Sequence, residues 1–207
     1  MALALSALLF AAFPLVRPFF SLDPRSPEAS LAAASPVVTS APWVVAHYLA
    51  MLAFVLLLFG TLTLYAHLRG GPAEPRAART LAWSLAGITL VMPMLGFEIH
   101  VFPIIGRLYL ARTAGIAPFV SLTYLGPAMV VFLLGLVFLA IGVVYFAVAI
   151  WRDGSLPRWA GVLFAIGLAL WFPPFPRALR VIDGFLIGLG GLWLASRMWP
   201  ARNARRR

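Results

Sequence analysis

Apolar residues along this chain come in six long runs, separated by short clusters of arginine, proline, glycine and serine. A helix that crosses the hydrocarbon of a bilayer needs about 20 largely apolar residues. On that criterion the runs predict spans at 2–20, 43–67, 81–103, 122–151, 159–175 and 181–199. The first run carries Pro14, Arg17 and Pro18 near its far end. It lacks a basic start, and the alanines at 32–34 lie too far beyond its apolar core for a cleavage site, so it reads as a span rather than a signal peptide. Pro93, inside the third run, removes a backbone donor and is expected to kink that helix about midway.

Between the runs, residues 21–41 read as a polar loop rich in serine, proline and alanine. Residues 69–79 read as a short basic loop with Gly70, Gly71, Pro72 and Pro75. The stretch 104–119 alternates Arg107, Tyr109 and Arg112 with Ile105, Leu108 and Leu110. It is too short and too charged to cross, which predicts an interfacial helix between spans three and four. The expected fold is therefore all-α, one polytopic transmembrane bundle of about six spans in a single domain.

Composition strengthens that reading. The chain has 207 residues, 63% hydrophobic and 11% charged, with a mean hydropathy of +0.98. Soluble domains hold about 25% charged residues, and a domain of this size has too little interior to hide so much apolar surface without lipid. All 16 basic residues are arginine, a bias best explained by GC-rich coding, which points to a bacterial source. The net charge of +10 sits in loops and in the tail beside apolar runs, as membrane insertion requires, and argues against nucleic acid as a partner. The absence of cysteine removes disulfides, thiolate metal sites and cysteine nucleophiles.

The arginines also set orientation. With the N-terminus in the cytoplasm, Arg69, Arg76, Arg79, Arg152, Arg158, Arg197, Arg202, Arg205, Arg206 and Arg207 fall on that side, and Arg17, Arg25, Arg107, Arg112, Arg177 and Arg180 on the other. The excess places both termini in the cytoplasm, in a bacterial inner membrane.

Ionisable residues at membrane depth are costly and are functional suspects. Here they fall in one layer, in the outer half. His47 lies near the outer end of span two, Glu98 and His100 near that of span three, and Asp183 in the first turn of span six with Arg180 one turn before it. Arg107, Tyr124 and Arg177 border the same side. Glu98, about 7 Å below the interface at about 1.5 Å per residue, needs a partner, with Arg107, Arg180 and His47 as candidates. His47 and His100 are at similar depth, as ligands of a divalent metal or a haem would be. Glu98 and His100, however, are two apart, about 200° around a regular helix. Both face His47 only if Pro93 or Pro103 distorts the segment. Asp183 and Arg180 have the spacing of a cap and local ion pair.

Gly184, Gly188 and Gly191 form a small-residue face suited to close helix packing, within the bundle or in a homo-oligomer, and Gly135 and Gly142 are candidate receivers. Trp43, Trp151, Trp159 and Trp199 fall at span ends, the pattern of an aromatic belt. The templates of common hydrolases, zinc peptidases and nucleotide-binding proteins are absent, which argues against an enzyme.

The order Trp43-x-x-x-His47 opening a span, Gly60 and Tyr65 closing it, and Glu98-x-x-x-x-Pro103 closing the next resembles small multispanning bacterial membrane proteins that are uncharacterised. The likeness covers residues 43–103 and carries no activity. Two readings remain open on the residues. One is a non-enzymatic bundle, a transporter-like module or accessory subunit with a polar site made of His47, Glu98, His100, Arg107, Tyr124, Arg180 and Asp183. The other is a haem- or metal-binding redox protein using His47 and His100.

Overall fold

The computed structural model describes residues 1–20, 26–116, 118–119, 126–171 and 176–204, with backbone alone at residue 27 and from 199 on. Among the described residues the chain is helical and has no strand. The elements are α1 (Ala2–Val16), α2 (Pro27–Val38), α3 (Ala41–Leu68), α4 (Glu74–Gly96), a π-helical turn (Phe97–Val101), α5 (Phe102–Leu110), α6 (Pro127–Asp153), α7 (Arg158–Leu170) and α8 (Arg177–Ala204). Four helical runs among these residues, Ala41–Leu68, Glu74–Leu110, Pro127–Asp153 and Arg177–Met198, are long and apolar enough to cross a membrane. Helices α1 and α7 are shorter, with 15 and 13 residues.

Several boundaries differ from the sequence expectation, each for a local reason. Helix α1 stops at Val16 because Arg17 precedes Pro18 and is pushed to an extended conformation, φ −65° and ψ 122°. Residues 27–38 are helical rather than loop. Ser26 caps the helix by accepting a hydrogen bond from the Ala29 amide, a proline occupies the first turn, and Glu28 complements the helix dipole. Helix α4 begins at Glu74, inside the expected basic loop, and runs as α-helix through Pro93. Its regular pattern breaks later, at 97–101. Residues 102–110 continue the same 37-residue run. Helix α8 starts directly after Pro176, whose carbonyl accepts from the Arg180 amide. Asp183 is therefore past the first turn and does not cap the helix.

The six helices α1, α3, α4, α6, α7 and α8 pack in a closed ring in which each touches the next in that order and α8 returns to α1. Neighbours are antiparallel. Ser6 of α1 donates to the Ala53 carbonyl at 2.8 Å while Phe13 meets His47. On α7 and α8, Gly167 faces Asp183 and Ile187 while Phe164 faces Gly190. A core of Phe10, Phe54 and Trp171, ring centroids 4.9–5.7 Å apart, joins α1 and α3 to the end of α7. A second, smaller core lies beside one end of the ring, where Leu31, Ala34 and Val38 of α2 meet Phe102 and Ile105 of α5 over Trp43.

Glycine sets the spacing of the ring. A Cβ on Gly87 would lie 2.6 Å from the Leu139 amide nitrogen, and one on Gly190 2.5 Å from that of Phe164. Gly135 and Gly142 receive α4, not α8. Gly184, Gly188 and Gly191 are filled by Ala7, Ala11 and Pro14 of α1 in the same chain, so this face is used inside the bundle. In the absence of a hydrophobic force between helices in lipid, such close backbone approach is a main source of association.

Gly190→Ala adds about 1 kcal/mol of helix propensity but places a methyl against backbone that cannot rotate away. Overpacking of this kind costs about 1–3 kcal/mol, so the thermal midpoint of the detergent-solubilised protein is expected to fall. Gly96→Ala is the control: its φ of −60° is helical and nothing lies within 4 Å of the added Cβ. That substitution should leave the midpoint unchanged or raise it. A Gly190→Ala protein as stable as the parent would refute the packing argument.

Candidate functional site

Pro103 starts the local chain of causes. In a regular α-helix its ring would strike the carbonyl of Ile99 four residues earlier, and it has no N–H to give. The helix answers with the wider π turn at Phe97–Val101, in which the Phe102 amide donates to the Phe97 carbonyl five residues back. The same register would pair the Glu98 carbonyl with residue 103, which is proline. The donor comes instead from α3: Trp43 Nε1–H donates to the Glu98 carbonyl at 2.9 Å.

Trp43 is fully buried and holds the neighbouring groups in place. Its carbonyl lies 2.7 Å from His47 Nδ1, and its ring lies 4.1 Å from the imidazole. A carbonyl oxygen only accepts, so Nδ1 carries a hydrogen. His47 Nε2 lies 2.7 Å from Glu98 Oε2, with the two side chains 1% and 18% exposed. One proton lies between these atoms, as imidazolium and carboxylate or as imidazole and carboxylic acid. Three hydrogen bonds thus close a loop through Trp43, His47 and Glu98.

The pair lines a cavity of about 140 Å³ to which all six ring helices contribute. Phe13 and Arg17 come from the end of α1, His47 from α3, Leu95 and Glu98 from α4 and its π turn, and Phe132 and Leu136 from α6. Trp171 follows α7, and Arg180 comes from α8. Both short helices stop at its edge. At about 1.5 Å per residue α1 and α7 reach about 20–22 Å, against about 30 Å of hydrocarbon, and the cavity occupies the level where they end.

Two guanidinium groups enter this space. Arg17 lies over the Trp43 ring at 4.8 Å and the Phe19 ring at 5.0 Å. Arg180 lies over Trp171 at 5.6 Å and has no carboxylate oxygen within 4 Å among the described residues. Aromatic faces of this kind stabilise a cation without neutralising it. Asp183, one turn beyond Arg180, is fully buried but does not line the cavity. Its carboxylate oxygens have no well-formed hydrogen bond among the described residues, an arrangement that is costly unless it serves a purpose.

Of the residues singled out in the sequence, His47, Glu98 and Arg180 meet in the cavity, with Asp183 close behind. His100 does not join them: it is exposed and packs edge-on against Tyr48 at 5.9 Å. Arg107 is exposed on α5, and Tyr124 lies outside the described residues. The pairing of His47 with His100 as metal or haem ligands is not assembled. Both nitrogens of His47 are already engaged, and no group of three metal-ligating side chains occurs among the described residues. Sequence reasoning used Arg17 only for orientation. The missed signal was the stripe Leu3, Ala7, Phe10, Phe13, Arg17, which continues the buried face of α1. Trp43, expected in an aromatic belt, is the hub of the site. Trp151 and Trp159 are exposed and pack edge-to-face at 5.7 Å, as a belt pair would.

Trp43→Phe keeps the ring but removes the donor, and a buried acceptor left unmade costs about 1–3 kcal/mol. The loss should appear as a lower thermal midpoint and should shrink in a Pro103→Ala background, where residue 103 regains an N–H. An equal loss in both backgrounds would remove Pro103 from the explanation.

Comparisons with protein-family models, with curated proteins and with solved structures found no match, so the functional reading rests on the geometry of this cavity.

Proposed function

We propose that the chain is a six-span protein of a bacterial inner membrane. Both termini would be cytoplasmic, and the cavity at the outer ends of the helices would bind a small anionic organic molecule. The antiparallel ring supports six crossings, with α1 and α7 as the short ones, and the excess of arginine on one side of the six-span topology supports the orientation. Helices α2 and α5 then form a cap at the outer surface. The role is that of a transporter-like module or an accessory binding subunit, without catalysis.

The observation that carries this reading is the convergence of Arg17 and Arg180 on one apolar-walled cavity. The His47–Glu98 pair is neutral as a unit wherever its proton sits. The lining therefore brings two guanidinium groups to one cavity, with Asp183 one turn beyond Arg180 on α8. Phe13, Leu95, Phe132, Leu136 and Trp171 supply an apolar wall. An apolar cavity of about 150 Å³ holds one benzene ring, so the matching ligand is a ring-sized or short-chain carboxylate.

Benzoate and its uncharged analogue benzamide separate charge from shape. Benzoate should raise the thermal midpoint of the purified protein, by an amount that grows with concentration as linkage requires. Benzamide should not, and Arg180→Gln should remove the effect. Equal effects of the two probes, or an undiminished benzoate shift in Arg180→Gln, would sink the proposal.

Asp183→Asn provides a separate check. Replacing a buried carboxylate that has no well-formed hydrogen bond among the described residues with a neutral isostere should leave stability unchanged or increase it. A loss above about 3 kcal/mol would instead identify Asp183 as half of a structural pair.

A further inference from the structure

At the opposite end of the ring the α3–α4 turn, the α6–α7 turn and the last turns of α8 enclose a second pocket, of about 480 Å³, which includes His67, Arg69, Asp153, Ser155 and Arg197. Its one acidic lining residue is held within its own turn. Asp153 accepts from both the amide and the hydroxyl of Ser155, and the neighbouring Glu74 accepts from the Gly70 amide at 2.7 Å and from the Tyr65 hydroxyl. Arg69 and Arg197 are exposed and have no carboxylate oxygen within 4 Å among the described residues. Two guanidinium groups from different helices therefore face one concavity against a single lining carboxylate, Asp153, which is hydrogen-bonded within its own turn.

The surroundings give the depth of this pocket. Trp151 and Trp159 flank the α6–α7 turn, both exposed, and the Arg158 guanidinium lies over Trp151 at 5.5 Å. Aromatic rings with arginine beside them mark the headgroup level of a bilayer. A basic recess between helices at that level matches a phosphate group, and a guanidinium presents a planar fork that fits phosphate oxygens in pairs.

We propose that this pocket is a phosphate site, holding an anion of the phosphodiester or phosphomonoester class between Arg69 and Arg197. The site rests on the membrane reading of α3, α6 and α8 and is independent of the ligand assigned to the outer cavity. The phosphate has two sources, an anionic phospholipid headgroup or a soluble phosphate.

The full-length protein is reconstituted in vesicles of phosphatidylcholine with phosphatidylglycerol and extracted, and the retained lipids are counted by native mass spectrometry. Phosphatidylglycerol should be retained over phosphatidylcholine, and Arg69→Gln and Arg197→Gln should each reduce that preference roughly fivefold, as expected for one arginine near an anionic surface. Arg107→Gln, which removes the same charge from α5, should leave it unchanged. In a second arm, inorganic phosphate is added to the protein in detergent and thermal protection is read for the same variants. Protection that depends on Arg69 and Arg197, without lipid retention, assigns the site to a soluble phosphate. The proposal is overturned if neither arm shows a preference in the parent protein, or if Arg107→Gln weakens retention as much as the pocket variants do. Benzoate protection through Arg180 is read in the same samples, so failure of one site is separable from failure of the other.

Discussion

The cavity end of the helical ring depends on one hydrogen bond, from the Trp43 indole to the Glu98 carbonyl. That carbonyl needs a donor from outside its helix because Pro103 supplies none. The indole that meets the need comes from the first turn of α3, four residues before His47. The bond therefore fixes the rotational setting of α3 against α4 at the height where His47 Nε2 meets Glu98 Oε2. Without the π turn Glu98 would be on a different face of its helix. A proline that breaks a helix thus positions a carboxylate, through a tryptophan that repairs the break.

The cavity has a different origin. Four helical runs among the described residues are long and apolar enough to cross a bilayer, while α1 and α7 are shorter apolar helices. Close packing at Gly184, Gly188 and Gly191 draws α1 against α8, and Gly167 and Gly190 draw α7 against the same helix. The two short helices are thus held on either side of α8, and their ends coincide in depth. The cavity at those ends is lined by what the chain places there: Arg17 after α1, Trp171 after α7 and Arg180 near the start of α8. Aromatic faces receive both guanidinium groups, which helps cations to stay in an apolar setting.

How much of this was legible in the sequence follows from the range of the interactions. Apolar runs report lipid and burial directly, so the all-helical, membrane-type architecture could be read from them. The concentration of polar residues near one end of the runs was equally visible, and it led to His47, Glu98 and Arg180. Which of these touch depends on helix phase, and phase was altered by a π turn that no propensity scale reports. Glu98 and His100, two apart, were expected on opposite faces of a regular helix, and only Glu98 meets His47. Helix α2 was hidden by its composition, although Ser26, Pro27 and Glu28 form a regular start signal. Trp43 illustrates the limit best. Its position at a span end is that of a belt residue, and its bond to the Glu98 carbonyl of another helix goes with its burial.

The two ends of the ring use arginine in opposite ways, and the contrast bears on function. At the cavity end Arg17 and Arg180 are drawn over aromatic rings, where the local dielectric is low and each charge acts over a short, directed range. At the other end Arg69 and Arg197 are exposed, beside turns whose acids are engaged locally. Surface charges of that kind are screened and select a partner by class rather than by shape. A fold that only needed anchoring in the membrane would be served by the second arrangement alone. In the proposed membrane setting, two cations and a hydrogen-bonded imidazole–carboxyl pair carry a desolvation cost that anchoring does not require, a cost that the proposed anionic ligand would offset.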